Sequence, residues 1–152
     1  MRKSMTVFIA LAVLAAGGAA WADTNTLTVQ ATVLGTCKFF SPDSTLSFGA
    51  LDPSVGADVS GSTTTNYWCT KGVTAIINPG LGEHAAGTTR QMEDVGSGDL
   101  IPYSLSLTGD STASAGPGSL RTLTITGNVV GTDYISKSAG GYSDIVLISL
   151  TP

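Results

Sequence analysis

The segment Asp23–Phe40, DTNTLTVQATVLGTCKFF, decides the fold class. Apolar residues occupy every second position in it: Leu27, Val29, Ala31 and Val33. Because successive side chains of a strand point to opposite faces, this period of two predicts a half-buried β-strand. The segment precedes every other predicted strand, so it belongs either to the sheet of its own chain or to that of another molecule.

Residues 1–22 are predicted to be a secretory signal peptide. A short basic N-terminus precedes an apolar run from Met5 to Ala16, and Ala20-Trp21-Ala22 has the small-x-small pattern of a cleavage site. The run is shorter than the roughly 20 residues of a spanning helix, which favours cleavage over an uncleaved anchor. We therefore expect a secreted mature chain that begins at Asp23 and does not insert into a membrane.

The composition favours β structure and excludes some partners. Only 12% of the residues are charged, the net charge is −4, and glycine occurs 19 times. This composition, with serine and threonine supplying the polarity, is typical of a β protein with many turns. An acidic chain without a basic cluster argues against nucleic acid and anionic membranes as partners. Few charges also leave strand edges weakly protected against pairing with other strands.

The two cysteines, Cys37 and Cys69, are predicted to form one disulfide, because an even count in an exported chain indicates pairing. In the chain-entropy model, a loop of this length gives about 3–4 kcal/mol of stabilisation. Two thiols without a nearby histidine or further cysteine cannot fill a tetrahedral metal site. No metal and no cofactor are therefore expected.

About seven short strands and no helix are predicted in one domain, because apolar residues alternate between turn residues and never keep a helical period. The predicted strands are Leu27–Leu34, Thr45–Phe48, Thr63–Cys69, Val73–Ile77, Ile101–Leu107, Leu120–Thr126 and Tyr142–Leu150. The polar stretch 80–99 and Val129-Val130 are further candidates for short strands. This pattern favours an immunoglobulin-like β-sandwich over an unspecified all-β barrel.

The sequence contains no pattern of catalytic residues, so an enzyme is not expected. The only histidine, His84, lies in a Gly/Ala-rich stretch without the HExxH spacing and is predicted to be solvated. Four aspartates in loops are predicted to form turns: Asp94, Asp99, Asp110 and Asp133.

Seven local patterns, in order along the chain, resemble the spore coat protein U family, which includes the pilins of archaic chaperone–usher pili. They are TVQATVLGTC ending at Cys37, LSFG at Leu46–Gly49, YWC ending at Cys69, Arg90-Gln91-Met92, LIPYSLSL at Leu100–Leu107, LTITGNV from Leu123, and the closing AGGYSDIVLISL. The signature residues within them are Phe48, Tyr103, Tyr142 and Asp144. The family often has a proline soon after the glycine of LTITG, where this chain continues with Asn128.

The resemblance implies an immunoglobulin-like sandwich that lacks its final strand and exposes an apolar groove. In such pilins a periplasmic chaperone fills the groove first, and the N-terminal segment of the next subunit fills it in the fibre. Only Thr151-Pro152 follow Leu150, so no further strand is expected. Leu27, Val29, Ala31 and Val33 have the period that a donor strand needs for β-augmentation.

Residues 23–36 are then an N-terminal donor or first strand, and residues 37–152 form the pilin-like domain. The favoured interpretation divides the segment, so that Thr24–Gln30 donates while Ala31–Thr36 pairs within its own domain. The alternative is that the whole segment is the first strand of its own domain.

The leading hypothesis is a structural subunit of a cell-surface fibre that polymerises by donor-strand complementation. Its expected partners are a periplasmic chaperone, an outer-membrane usher, and other copies of this chain or related pilins. One alternative is a non-fibrous spore-coat or extracellular matrix protein of the same fold. Another is a surface- or glycan-binding adhesin, although adhesins of this type usually carry a second domain.

Overall fold

A computed structural model describes residues 21–109 and 111–152. The predicted signal peptide lies outside the described residues except for its last two, and so does Asp110. The chain divides into two units after Thr32, and the second is Val33–Pro152. In the first unit, residues 21–32 are exposed and belong to no strand. The fold described below is that of the second unit.

The second unit is built of β-strands, which confirms the predicted fold class. In chain order they are β1 (Cys37–Phe39), β2 (Val59–Cys69), β3 (Ile76–Pro79), β4 (Arg90–Asp94), β5 (Leu100–Gly109), β6 (Arg121–Val129), β7 (Tyr142–Ser143) and β8 (Ile148–Thr151). Among the described residues, the only helical element is a single 3-10 turn, Gly131–Asp133.

The strands form an unequal sandwich. Six of them make an antiparallel sheet in the order β1-β2-β6-β5-β4-β7, and β3 and β8 make a second, two-stranded sheet. The β2–β6 pairing is the longest, running from Val59 opposite Val129 to Tyr67 opposite Arg121. The smaller sheet packs through Ile77 onto the larger one and leaves part of its inner face uncovered.

The core follows from the alternation that the sequence predicts. In β6, Leu123, Ile125 and Val129 are buried. The threonines on either side of Leu123 and Ile125 are half-buried or exposed. One buried cluster centres on Tyr67 and Leu123 beneath the smaller sheet, and a second centres on Ile101 and Val129. Burial of a large apolar side chain contributes about 1.5–3 kcal/mol, so these clusters hold the larger sheet together.

The predicted disulfide between Cys37 and Cys69 is confirmed, and the two residues lie directly opposite each other in the β1–β2 pairing. Thr70, the next residue, binds the incoming chain. Its hydroxyl donates to the carbonyl oxygen of Leu34 at 3.2 Å and accepts from the N–H of Thr36 at 3.1 Å. The chain is therefore fixed to its own domain from Leu34 onward.

Several predicted strands differ from the structure. Leu27–Leu34 is not a strand, because alternation alone does not supply the hydrogen-bonded neighbour that a strand requires. Thr45–Phe48 keeps its alternating burial but joins no sheet. Tyr142–Leu150 is divided into β7 and β8, which lie in different sheets. In the polar stretch 80–99, β4 is a regular strand.

A glycine pair allows another segment to lie flat on the larger sheet. Gly61 and Gly127 lie directly opposite each other on β2 and β6. A Cβ atom on Gly61 would lie 2.4 Å from the carbonyl oxygen of Ser47, and one on Gly127 would lie 2.8 Å from the Phe48 ring. The segment containing Ser47 and Phe48 can approach this closely only because both positions lack a side chain.

We expect Gly61→Ala to lower the free energy of unfolding by about 1–3 kcal/mol, because the new methyl group would collide with main chain that cannot rotate away. Equilibrium urea denaturation measures this change. Gly118→Ala is the control, because its Cβ would meet nothing within 4 Å. Equal stability of the two variants would show that the segment over Gly61 is not held in place.

Candidate functional site

An open groove of about 820 Å³ lies on the uncovered face of the larger sheet. We call residues 44–51, which flank it, the first rail, and residues 142–148 the closing rail. Its floor consists mainly of apolar side chains from β4, β5 and β6: Met92, Ile101, Tyr103, Leu105 and Ile125. A long apolar floor between two chain segments is the shape that accommodates an extended peptide.

The first rail turns two large side chains into the groove. Leu46 and Phe48 are half-buried, while Thr45 and Ser47 between them are exposed. The Phe48 ring packs against that of Tyr103 with centroids 6.2 Å apart and planes inclined at 59°. Residues 44–51 belong to no strand. The rail therefore has the side-chain pattern of a strand without a sheet partner.

The closing rail carries the chain from one sheet to the other. β7 pairs with β4 of the larger sheet, and β8 pairs with β3 of the smaller one. Along the rail, half-buried residues alternate with exposed ones; the half-buried ones are Tyr142, Asp144, Val146 and Ile148. The exposed ones include Ile145, which is 60% exposed, and Leu147, which is 81% exposed. The predicted alternation of burial is correct. The segment does not form one strand because the chain passes from the larger sheet to the smaller one between β7 and β8.

The Asp144 carboxylate fixes the closing rail where it crosses between the sheets. Its Oδ2 accepts the hydroxyl of Tyr103 at 2.6 Å. Its Oδ1 accepts the main-chain N–H groups of Glu83 at 2.9 Å and His84 at 3.3 Å. The Asp144 side chain is only 3% exposed. One buried charge therefore joins the rail to β5 and to the loop after β3.

Gly82 makes this close approach possible. It has a φ of +97°, and a Cβ atom there would lie 2.0 Å from Asp144 Oδ2. Both the left-handed conformation and the missing side chain therefore require glycine at this position.

The same contacts set the protonation states. Burial alone would raise the pKa of Asp144, but the hydrogen bonds from Tyr103 and from the main-chain N–H groups of His84 and Glu83 outweigh it, so the pKa lies below its usual value. Burial, followed by the bond to Asp144, raises the pKa of the Tyr103 hydroxyl. At neutral pH the carboxylate is charged and the hydroxyl keeps its proton.

The prediction that His84 is simply solvated is wrong. Its side chain is 28% exposed, with Nδ1 3.2 Å from Asp144 Oδ1 and Nε2 2.9 Å from Glu93 Oε2. Local sequence gave no sign of this, because Asp144 lies 60 residues further along the chain.

The four signature residues come together in the groove. Phe48, Tyr103, Tyr142 and Asp144 all line it. Phe48 and Tyr103 are in ring contact, Tyr103 binds Asp144, and Tyr142 donates its hydroxyl to the carbonyl of Ser138 at 2.8 Å.

The four residues predicted to donate have no strand partner in this structure. Leu27, Val29 and Val33 are each 83% exposed, and Ala31 is exposed as well. Apolar side chains at alternate positions therefore face solvent along this segment.

In the described part of the chain, the loop aspartates form turns or contacts between distant segments. Asp94 accepts the N–H and hydroxyl of Ser97, as its predicted turn role requires. Asp99 instead accepts the N–H of Ser138, which is 39 residues away. No cluster of three metal-ligating side chains occurs among residues 21–109 and 111–152. Over the same residues, no helix has the length and apolarity to cross a bilayer.

Comparison with known proteins gives a family match and a structural likeness. The model of the Spore Coat Protein U domain matches residues 23–149. No curated protein matches the chain.

Among solved structures, the chain resembles one from the crystal structure of the CsuC–CsuE chaperone-tip adhesion subunit pre-assembly complex of archaic chaperone–usher Csu pili, from Acinetobacter baumannii. The TM-score is 0.51 at 18% identity, over 78% of this chain and 40% of that chain. At this identity the likeness shows a shared fold, over less than half of the other chain's length.

We expect Asp144→Asn to lower the free energy of unfolding at neutral pH by on the order of 2–4 kcal/mol, because several donors lose a charged acceptor. The folded-state pKa of Asp144 is lowered, so its contribution is present above about pH 4 and disappears as pH falls through the folded-state value. The difference between variant and wild type should therefore shrink in acid.

Urea denaturation of both proteins across this pH range measures the effect. Asp43→Asn is the matched control, because Asp43 is exposed. A constant stability difference down to the lowest pH would contradict the assigned role of the Asp144 charge.

Proposed function

Because the chain belongs to the Spore Coat Protein U domain family, we propose that it is a structural subunit of a secreted surface fibre. In this proposal, subunits join by donor-strand complementation, with the N-terminal segment of one subunit lying in the groove of the next. A periplasmic chaperone occupies the groove before assembly, and an outer-membrane usher exports the growing fibre. The family match begins at residue 23, so it includes the proposed donor segment.

The observation that carries the proposal is the groove between the two rails. Its floor is apolar, and both rails show the alternating burial of strands, although residues 44–51 and 144–147 belong to no strand. An inserted strand would cover the floor with its side chains and pair its main chain with the rails. The groove thus has room for one more strand between the two rails.

The N-terminal segment has the matching pattern. Leu27, Val29, Ala31 and Val33 share one face, and Thr28, Gln30 and Thr32 share the other. From Leu27 to Val33 an extended chain spans about 20 Å, since a strand rises about 3.3 Å per residue. Burial of each larger apolar side chain would contribute about 1.5–3 kcal/mol, and each hydrogen bond about 1 kcal/mol. Several of each would make a slowly dissociating joint.

The residue at which the N-terminal segment becomes hydrogen-bonded to its own domain indicates where the donor segment ends. Hydrogen bonding to Thr70 begins at Leu34, three residues later than the division after Gln30 suggested by the sequence. We therefore propose that the donor extends through Val33 and that Leu34–Thr36 belongs to its own domain.

The donor role is tested with matched substitutions on opposite faces of the segment. Val29→Asp should abolish polymerisation, because it would place a charge against the apolar floor. Thr28→Asp, one residue earlier on the other face, should polymerise nearly as well as wild type. Size-exclusion chromatography and negative-stain microscopy of the secreted chain, co-expressed with a chaperone and usher, give the readout.

Deletion of Asp23–Val33 should likewise leave folded monomers. Wild-type yields of filaments from this deletion, or equal loss in both substituted chains, would contradict the donor role. If the wild-type chain is secreted in quantity without filaments, a coat or matrix protein of the same fold becomes the better interpretation.

A further inference from the structure

His84 links the closing rail of the groove to the larger sheet. Its Nδ1 lies 3.2 Å from Asp144 Oδ1 on the rail, and its Nε2 lies 2.9 Å from Glu93 Oε2 on β4. We call these three side chains the histidine bridge. Because both ring nitrogens are engaged, the ring joins Asp144 to Glu93, beside the β4–β7 pairing in which Glu93 lies opposite Ser143.

The chemistry of the ring makes this bridge dependent on protonation. A neutral imidazole has one N–H donor and one lone pair, whereas the imidazolium has two donors. Ionised carboxylates only accept, so the neutral ring can donate to one of them and must turn a lone pair toward the other. Both observed contacts are therefore hydrogen bonds only when the ring carries its second proton.

The other charged and titratable groups near the bridge have contacts of their own, so the ring is the group that contacts both carboxylates. Arg90 directs its guanidinium to the carbonyl oxygen of Gly80, at 3.0 Å and 2.8 Å, at the start of the same loop. Tyr103 occupies the other carboxylate oxygen of Asp144. Glu83 is an exposed residue and reaches Asp144 through its main-chain N–H. Asp144 itself stays ionised in mild acid, because its pKa lies below the usual value.

From this geometry we propose that His84 is a pH-dependent positioning residue for the groove. When doubly protonated, the ring holds Asp144, the first rail residue beyond the β4–β7 pairing, to Glu93 on β4 and slows the release of an inserted strand. When the ring loses its second proton it loses one hydrogen bond, so the rail is held less firmly and the strand leaves faster. Histidine is the side chain whose charge ordinarily changes between about pH 5 and pH 8. This regulation rests on the proposed donor-strand function.

The first test observes the bridge without reference to assembly. The chain contains a single histidine, so the ring signals of a ¹⁵N-labelled, full secreted chain need no assignment. In the doubly protonated state of the folded chain, reached by lowering the pH, we expect both ring protons to be protected from exchange. Freely exchanging ring protons in that state would overturn the bridge.

The second test measures strand release. Fibres of the full chain are placed in moderate urea at about pH 5.5 and about pH 8, and released subunits are followed by size-exclusion chromatography. Wild-type fibres should release subunits about five- to tenfold faster at the higher pH, the effect of losing one hydrogen bond of ordinary strength. His84→Gln should reduce this ratio to below about twofold, because glutamine does not titrate.

Glu83→Gln is the matched control, since it removes the adjacent exposed carboxylate and should keep the full pH dependence. Equal release at both pH values from wild-type fibres, or the same pH dependence in His84→Gln, would overturn the inference and leave the donor role intact. A secreted chain that never forms fibres would instead contradict the donor role, and the ring measurement would still decide whether the bridge exists.

Discussion

The buried carboxylate of Asp144 is the interaction on which the shape of the groove depends. The closing rail leaves the larger sheet after β7 and enters the smaller sheet at β8, so between them it has little regular pairing to hold it. Asp144 supplies that hold by accepting bonds from Tyr103 and from the loop after β3. A charge buried in this way is stable only while its donors remain in place, so it specifies one position for the rail.

The opposite flank is positioned by different means. The first rail lies close to the larger sheet because Gly61 and Gly127 beneath it have no side chains. The packing of the Phe48 ring against Tyr103 then holds it there. Tyr103 thus contacts both flanks, one through its ring and the other through its hydroxyl. One residue on the floor therefore joins the two rails, and the family signature gathers around it.

The sequence predicted features that depend on local period and composition, such as the β class, the inward face of β6 and the disulfide. It also placed Phe48, Tyr103, Tyr142 and Asp144 in one set by resemblance, and all four line the groove. The sequence did not predict contacts between residues that are distant along the chain. The pairing of Gly61 with Gly127, the sheet change at residues 144–147 and the contact of His84 with Asp144 are set by register, and a local pattern carries no information about register.

The entry of the chain at Thr36 has a mechanical consequence. A pull on the residues before Leu34 reaches Thr36 and Cys37 and then crosses the covalent bond to Cys69, at the end of β2. β2 is an interior strand, and its register with β6 runs without a break from Val59 to Tyr67. Tension along this strand would load its hydrogen bonds together in shear instead of opening them one at a time. The short edge strand β1 is thereby protected from peeling, and the domain is suited to bearing load along its N-terminal connection.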